Sequence, residues 1–265
     1  MPEGDTIHRA ASTLAAALQG AVITSFELAR HLGPGRAGSG RRRVPAPGER
    51  VDAVAARGKH LLIACSGGLT LHTHMRMRGS WHLYRPGERW RRGRNEMVAA
   101  VGVEGADAVC FSAPVVELLD AAELRRHPVL STLGPDLCVH GADLDEAVRR
   151  LGSLDPATEI GVALLDQTVA SGIGNVYRAE VAWACRIDPF TPVGDLDGTA
   201  RRELYATASR LLRSNLGSWR RSTVPGGLAV YDRAGRACPR CGAAIVTRRQ
   251  GEQARSVWWC PGCQR

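Results

Sequence analysis

The chain has 265 residues, 44% of them hydrophobic, enough for two cored domains or one large one. Its 35 Lys and Arg outnumber 26 Asp and Glu, giving a formal charge of +9 and a pI near 9.6, which points to a polyanionic partner, nucleic acid first. No stretch approaches the roughly 18 apolar residues of a membrane span and the N-terminus lacks a cationic-then-apolar leader pattern, so no membrane association is expected and a cytoplasmic, nucleoid-associated protein is.

Behind Met1 the chain reads Pro2-Glu3-Gly4. If Met1 is clipped, Pro2 becomes a free secondary amine with a carboxyl group beside it. Such an amine can attack an electrophilic sugar carbon and form an iminium, and its ordinary pKa of roughly 8 is within reach of neutral pH. The plainer reading is that Pro2 and Glu3 open a helix, where proline and acid are both favoured. Asp5 is placed as the N-cap of that helix, with Ile7, Ala10, Ala11, Leu14 and Leu18 on one face and Gly20 as its stop.

From Ala21 to about Ser112, short apolar runs such as Ala21-Val22-Ile23-Thr24, Leu61-Leu62-Ile63-Ala64 and Val98-Ala99-Ala100-Val101 alternate with Gly, Pro and Arg loops. This predicts an antiparallel sandwich or barrel. Two loops, Arg41-Arg42-Arg43 and Arg89-Trp90-Arg91-Arg92-Gly93-Arg94, could track phosphates or simply be solvated. Of the 35 basic residues only Lys59 is a lysine. Either it is a chance survivor of an arginine-biased composition, or the position needs a compact ammonium that can give up a proton or fit a tight phosphate pocket.

After Pro135 the pattern turns helical, with segments expected over 143–151, 159–170, 176–185 and 198–216. Between the second and third lies Ser171-Gly172-Ile173-Gly174-Asn175, whose glycines allow positive φ and whose Asn175 can cap the next helix. Backbone N–H groups exposed there would make an anion site, though an ordinary helix hairpin reads the same way. Cys65, Cys110, Cys138 and Cys185 sit among apolar neighbours and are expected as buried thiols. Cys238, Cys241, Cys260 and Cys263 have the spacing C-x2-C-x18-C-x2-C of two knuckles closing a tetrahedral Zn2+ site. Four thiolates leave no position for water, so one structural ion is expected; a redox pair is the alternative.

Met1-Pro2-Glu3-Gly4, Arg57-Gly58-Lys59-His60, Leu164-Leu165-Asp166-Gln167 leading into Gly172-Ile173-Gly174-Asn175, and Trp258-Trp259-Cys260-Pro261-Gly262-Cys263-Gln264 together resemble the formamidopyrimidine-DNA glycosylase and endonuclease VIII family, leaning to the endonuclease VIII branch. The resemblance implies an α+β fold: an antiparallel β-sandwich with a flanking N-terminal helix (1–125), a helix-two-turn-helix domain (126–228) and a four-cysteine zinc-finger hairpin (229–265). It implies a bifunctional glycosylase and abasic-site lyase that acts as a monomer on double-stranded DNA carrying an oxidised base, mainly a pyrimidine, or an abasic site. The lesion is flipped out, Pro2 attacks the sugar, Glu3 protonates the ring oxygen, and β,δ-elimination cuts the strand. Lys59 is matched to a phosphate-binding proton donor for β-elimination. Asn175 matches a phosphate-holding turn residue, and Arg255 the finger arginine that assists δ-elimination. The loop His74-Met75-Arg76-Met77-Arg78-Gly79 would fill the vacated space, with Met77 as wedge and His74, Arg76 and Arg78 beside it. The branch commonly carries Gln-Leu-Tyr in place of Arg76-Met77-Arg78, a frequent arginine is here Thr132, and Asp5 replaces a frequent proline. A non-catalytic zinc-ribbon protein that binds nucleic acid or abasic sites is the alternative reading. A proline-based tautomerase would leave the cysteines and the charge unexplained.

Overall fold

The computed structural model describes residues 2–29 and 43–265; Met1 and the Arg41-Arg42 pair lie outside them. The chain forms two compact units, one of Met1–Pro2 with Thr6–Ser131, the other of Glu3–Asp5 with Thr132–Arg265.

The first unit is built on helix α1 (Gly4–Leu18) and strands β1 (Ile23–Leu28), β2 (Val51–Arg57), β3 (His60–Cys65), β4 (Leu69–His74), β5 (Ser80–Tyr84), β6 (Met97–Val103), β7 (Ala106–Phe111) and β8 (Val115–Asp120). Two antiparallel four-stranded sheets result, in the orders β1-β6-β7-β5 and β2-β3-β4-β8. Both contribute to one core, in which Ile7, Ala11, Leu14 and Leu18 of α1 meet Ile23, Leu61, Ile63, Leu71, Val101 and Cys110. The predicted sandwich and helix face are therefore present. The run Val98–Val101 lacks alternation because β6 and β7 are buried on both faces: beyond the core, Met97, Val109 and Phe111 pack with Tyr84 and Trp90. Trp90 lies edge-on to Phe111 at 5.8 Å, so the loop that carries it is a lid on the sheet. Arg92 in that loop pairs with Glu96 and Arg94 with Glu27, whereas Arg89 and Arg91 stay exposed. A short helix α2 (Ala121–Arg125) follows β8, closed by a capping box between Asp120 and Glu123.

The second unit holds α3 (Leu144–Gly152), α4 (Ile160–Ala163), α5 (Asn175–Ala184) and α6 (Gly198–Ser214), then the antiparallel hairpin of β9 (Val246–Gln250) and β10 (Arg255–Trp259). Asp143 and Asp197 cap α3 and α6 through their side chains. The helix expected over 159–170 is cut to the single turn α4. Beyond it, Asp166 accepts from the Thr168 backbone N–H and hydroxyl, and Gln167 bonds the carbonyls of Leu165 and Ile173 and the N–H of Gly172. These local side-chain bonds compete with the helical ladder and win. Helix α5 buries nine of its ten residues, which explains its weak periodicity: one face joins the helical core with Tyr177 and Val181, another packs Ala179 and Trp183 on Val230, Ile245, Cys238 and Cys260.

Two capping expectations are corrected. Asp5 lies inside the first turn of α1, where its buried carboxylate accepts from the Tyr177 hydroxyl at 3.1 Å and pairs with Arg221 through two bonds of 2.6 and 2.7 Å. Asn175 is the first residue of α5, whose cap position is Gly174. Cys65, Cys110 and Cys138 are buried as expected and Cys185 half-buried; burial pushes the Cys65 thiol up to about 11. Among the described residues no helix is long and apolar enough to cross a membrane. Ile63 is wholly buried in the sandwich core. Ile63→Ala should therefore lower stability by about 2–5 kcal/mol, read from the urea midpoint at unchanged m-value.

Candidate functional site

Glu3 is fully buried, and its carboxylate is the anion that occupies the N-terminus of α5. Gly174 N–H donates to Oε2 at 2.9 Å, Val176 N–H to Oε1 at 2.8 Å and Tyr177 N–H to Oε2 at 3.3 Å. Three donors at the positive end of a helix suit a carboxylate, because otherwise orphaned N–H groups are satisfied together with the charge. The anion site read from the Gly-rich turn is thus filled from within the chain. Pro2, half-buried, immediately precedes this residue.

The glycines make the seat possible in two ways. Gly172 has φ +110°, in the left-handed region, and its carbonyl accepts from Gly4 N–H at 2.9 Å. Gly174 is needed for space: a Cβ there would lie 2.4 Å from the Glu3 carboxyl carbon.

Asn175 is tied to the hairpin that carries Arg255. Its Nδ2 donates to the Ser256 carbonyl at 3.0 Å, and its Oδ1 accepts from Arg178, whose Nη2 also donates to Ser256 O at 2.8 Å. Arg178 is fully buried, and burial with the nearby charge of Arg255 pushes it down to about 10, so it remains a cation at neutral pH. Arg255, exposed at the start of β10, lines a cavity of about 440 Å³ with Arg178, Gln250, Glu159 and Asp166. Glu180, on the next turn of α5, accepts from the N–H groups of Ala229, Val230 and Tyr231 at 2.8–2.9 Å and from the Thr223 hydroxyl. Sequence reasoning missed Arg178 and Glu180. Their signal was two charges inside a helix whose other positions are almost all apolar or small.

In the first unit, Lys59 sits half-buried in the two-residue turn between β2 and β3, where Gly58 takes φ +58°. His74 closes β4, and Arg76, Met77 and Arg78 stand exposed on the turn that follows. Arg76 has φ +43°, the Gly79 N–H closes the turn on Met75 O at 2.8 Å, and Met77 is 67% exposed at its tip while Met75 is buried. Beside Lys59 lies a cluster the sequence reading overlooked: His60, His72, Glu117 and His127, joined by bonds of 2.8, 2.8 and 3.0 Å. Burial, then the charges of His74, His72, His127 and Lys59, holds His60 down at about 3. Burial and the charges of Lys59, Arg76 and His72 hold His74 down at about 4.

Cys238, Cys241, Cys260 and Cys263 converge as expected, with Sγ–Sγ distances of 3.8 Å for Cys238–Cys263 and 3.4 Å for Cys241–Cys260. A tetrahedral ion with bonds of about 2.3 Å to sulfur asks for sulfurs about 3.8 Å apart, so the four fit one metal ion. Trp183 Nε1–H and the Arg240 N–H both donate to Cys238 Sγ at 3.4 Å, as outer donors to a thiolate would.

Residues 1–113 match the formamidopyrimidine-DNA glycosylase N-terminal domain and residues 133–223 the formamidopyrimidine-DNA glycosylase H2TH domain. "Probable endonuclease 8 2" of Streptomyces coelicolor is 39% identical over 272 residues, covering 100% of this chain and 94% of the relative. "DNA-(apurinic or apyrimidinic site) lyase Nei2" of Mycolicibacterium smegmatis is 35% identical, over 100% of this chain and 99% of the relative. Among solved structures, the Lactococcus lactis formamidopyrimidine-DNA glycosylase non-covalently bound to DNA containing an abasic site superposes with a TM-score of 0.81 at 20% identity, covering 99% of each chain. At that identity the likeness is one of fold.

Gly174→Ala should push the new methyl into Glu3 and lower stability by about 1–3 kcal/mol, read as a fall in thermal midpoint. Acid should also act on the histidine cluster. The unfolded imidazoles titrate near 6.5, above their folded values, so from about pH 6.5 down to 4 the unfolded chain binds protons the folded chain refuses. Stability should fall across that window, and His60→Gln should flatten the dependence in urea titrations at several pH values.

Proposed function

Because this chain belongs to the formamidopyrimidine-DNA glycosylase and endonuclease VIII family, we propose that it is a base-excision repair enzyme that removes oxidised pyrimidines from double-stranded DNA and cuts the strand at the abasic site. DNA glycosylase with abasic-site lyase activity is the class its relatives' names carry. The observation that carries the mechanism is Glu3, held immobile by three backbone donors directly after Pro2. The net charge of +9 suits a DNA partner, and the folded neighbours include glycosylases bound to abasic-site DNA.

In the proposed sequence Met1 is removed and the Pro2 amine attacks C1′ of the flipped nucleotide, expelling the damaged base. Glu3 takes the proton that leaves the proline nitrogen and delivers it to the ring oxygen, so the ring opens to a Pro2 iminium. The iminium acidifies the C2′ protons. Elimination then breaks the 3′ C–O bond with Lys59 as proton donor, and a second elimination, assisted by Arg255, breaks the 5′ bond. Lys59, Asn175 and Arg255 are assigned to phosphates near the lesion. His74, Arg76, Met77 and Arg78 are assigned to the space it vacates, Met77 as the wedge. The four cysteines are assigned one structural Zn2+, which holds the hairpin carrying Arg255. We retain 1–125, 126–228 and 229–265 as the functional division, and a monomer as the acting species.

Borohydride reduces an iminium to a stable amine and so tests the reading. Wild type without Met1 should form an adduct on abasic-site and oxidised-pyrimidine duplexes that maps to Pro2. Retained Met1 should abolish it and Pro2→Gly should cut it at least about tenfold. No adduct from processed, metal-loaded protein would leave a DNA-binding module without catalysis.

A further inference from the structure

The hydrogen bonds of the histidine cluster determine where each proton sits. His127 Nδ1 accepts from the N–H groups of Val129 and Leu130 at 3.2 and 3.0 Å, so its Nε2 carries the hydrogen and donates to Glu117 Oε2. Burial pushes the Glu117 carboxyl up, but the bonds from His72 and His127 together outweigh it and leave it below its ordinary value, so it accepts as a carboxylate. His72 Nδ1 therefore donates to the same oxygen, and its Nε2, left with a lone pair, accepts from His60 Nδ1–H. The open end of the chain is His60 Nε2. His60 follows Lys59 in sequence and lies 4.6 Å from His74, ring centroid to centroid.

A tightly held metal ion does not suit this arrangement. To bind one through Nε2, His127 would have to move its hydrogen to Nδ1, where two backbone N–H groups already point. The geometry is that of a buried imidazole backed by a second imidazole and a carboxylate, in which the carboxylate stabilises positive charge arriving at the far ring.

We propose that His60, His72 and Glu117 form a proton-uptake device for the phosphate that Lys59 holds, so that DNA binding takes up one proton and creates a second cation beside Lys59. The proposal rests on the assignment of a phosphate to Lys59. The step is a protonation: a proton from solvent adds to the His60 Nε2 lone pair, and the charge is shared along the Nδ1–H···Nε2 and Nδ1–H···Oε2 bonds toward Glu117. Without an anion the device is silent, because burial first, and then His74, His72, His127 and Lys59 facing it, oppose a charge on His60, as burial, Lys59, Arg76 and His72 oppose one on His74. His72 is faced by Glu117, which favours its charge, and by His127, which opposes it. A phosphate about 4 Å away in a partly desolvated site raises the proton affinity of an imidazole about a thousandfold, enough to lift His60 from about 3 to about 6.

The test is calorimetric titration of a duplex carrying an uncleavable tetrahydrofuran abasic analogue, at pH 5, in two buffers of different ionisation enthalpy. Wild type should take up close to one proton, and its affinity should rise by up to about tenfold per unit fall in pH between about 5 and 4. Glu117→Gln, whose amide oxygen can keep both hydrogen bonds but not the charge, should lose the uptake, as should His72→Phe; thermal melts show which variants fold, and Glu117 is partly exposed. No uptake by wild type, or uptake unchanged in the folded variants, overturns the device, as does a second metal equivalent beyond that of the four cysteines that His72→Phe removes. Borohydride trapping run alongside reports on the lyase reading separately: an adduct without proton uptake sinks only the device, and uptake without an adduct sinks only the lyase.

Discussion

The second unit is organised around one electrostatic seat, the Glu3 carboxylate on the N-terminus of α5. A buried carboxylate is costly unless every lone pair and the charge itself are answered. Here three backbone N–H groups answer both, and charge-assisted bonds of this kind are each worth roughly 1.5–3 kcal/mol. The constraint reaches outward: Gly174 must lack a side chain, Gly172 must turn left-handed, and Gly4 must approach Gly172 closely. The same carboxylate thereby fixes the residue that follows Pro2 in the chain, and the proposed function gives it the proton transfers of that proline.

Helix α5 extends this logic with polar groups that a helix so deeply buried could not otherwise carry. Arg178 and Asn175 clamp the Ser256 carbonyl, which fixes the strand on which Arg255 begins. Glu180 gathers three N–H groups from the segment leading to the four cysteines. Asp5, through Arg221 and Tyr177, closes the other side. A metal held by the four thiolates would therefore act on the position of Arg255 through packing that α5 already supplies. The first unit treats charge differently. There burial, with the charge of Lys59 among the smaller causes, holds His60 and His74 well below the ordinary imidazole range, the environment on which the proposed phosphate would act.

Much of this was legible in the sequence where the signal was local. The spacing Ile7, Ala11, Leu14, Leu18 marks a helix face whatever packs on it, and two CxxC pairs can close on one ion with little regard to the rest of the fold. The sandwich followed from short runs between turn residues. What escaped was non-local. Asp5 reads as a cap by position, but its carboxylate is claimed by Arg221, 216 residues away. The turn after α4 reads as helix by composition until Asp166 and Gln167 bond their own backbone. His60, His72, Glu117 and His127 are scattered over 68 positions and become one chain only because β3, β4 and β8 are neighbours in the sheet. Pro2, Glu3, Lys59 and Arg255 were nominated by likeness to a family pattern, whereas Arg178, Glu180 and the histidine cluster emerged only in the fold.

The central claim, that Glu3 moves protons for Pro2 during base removal as well as seating the helix, is tested most directly by Glu3→Gln assayed on two substrates. An abasic sugar already opens to its aldehyde in water and needs no acid for that step, whereas an intact nucleotide does. In folded, Met1-free Glu3→Gln, release of an oxidised pyrimidine should fall by about a hundredfold or more while cleavage at a preformed abasic site stays within about tenfold of wild type. Equal loss on both substrates, or full activity on both, would contradict the account.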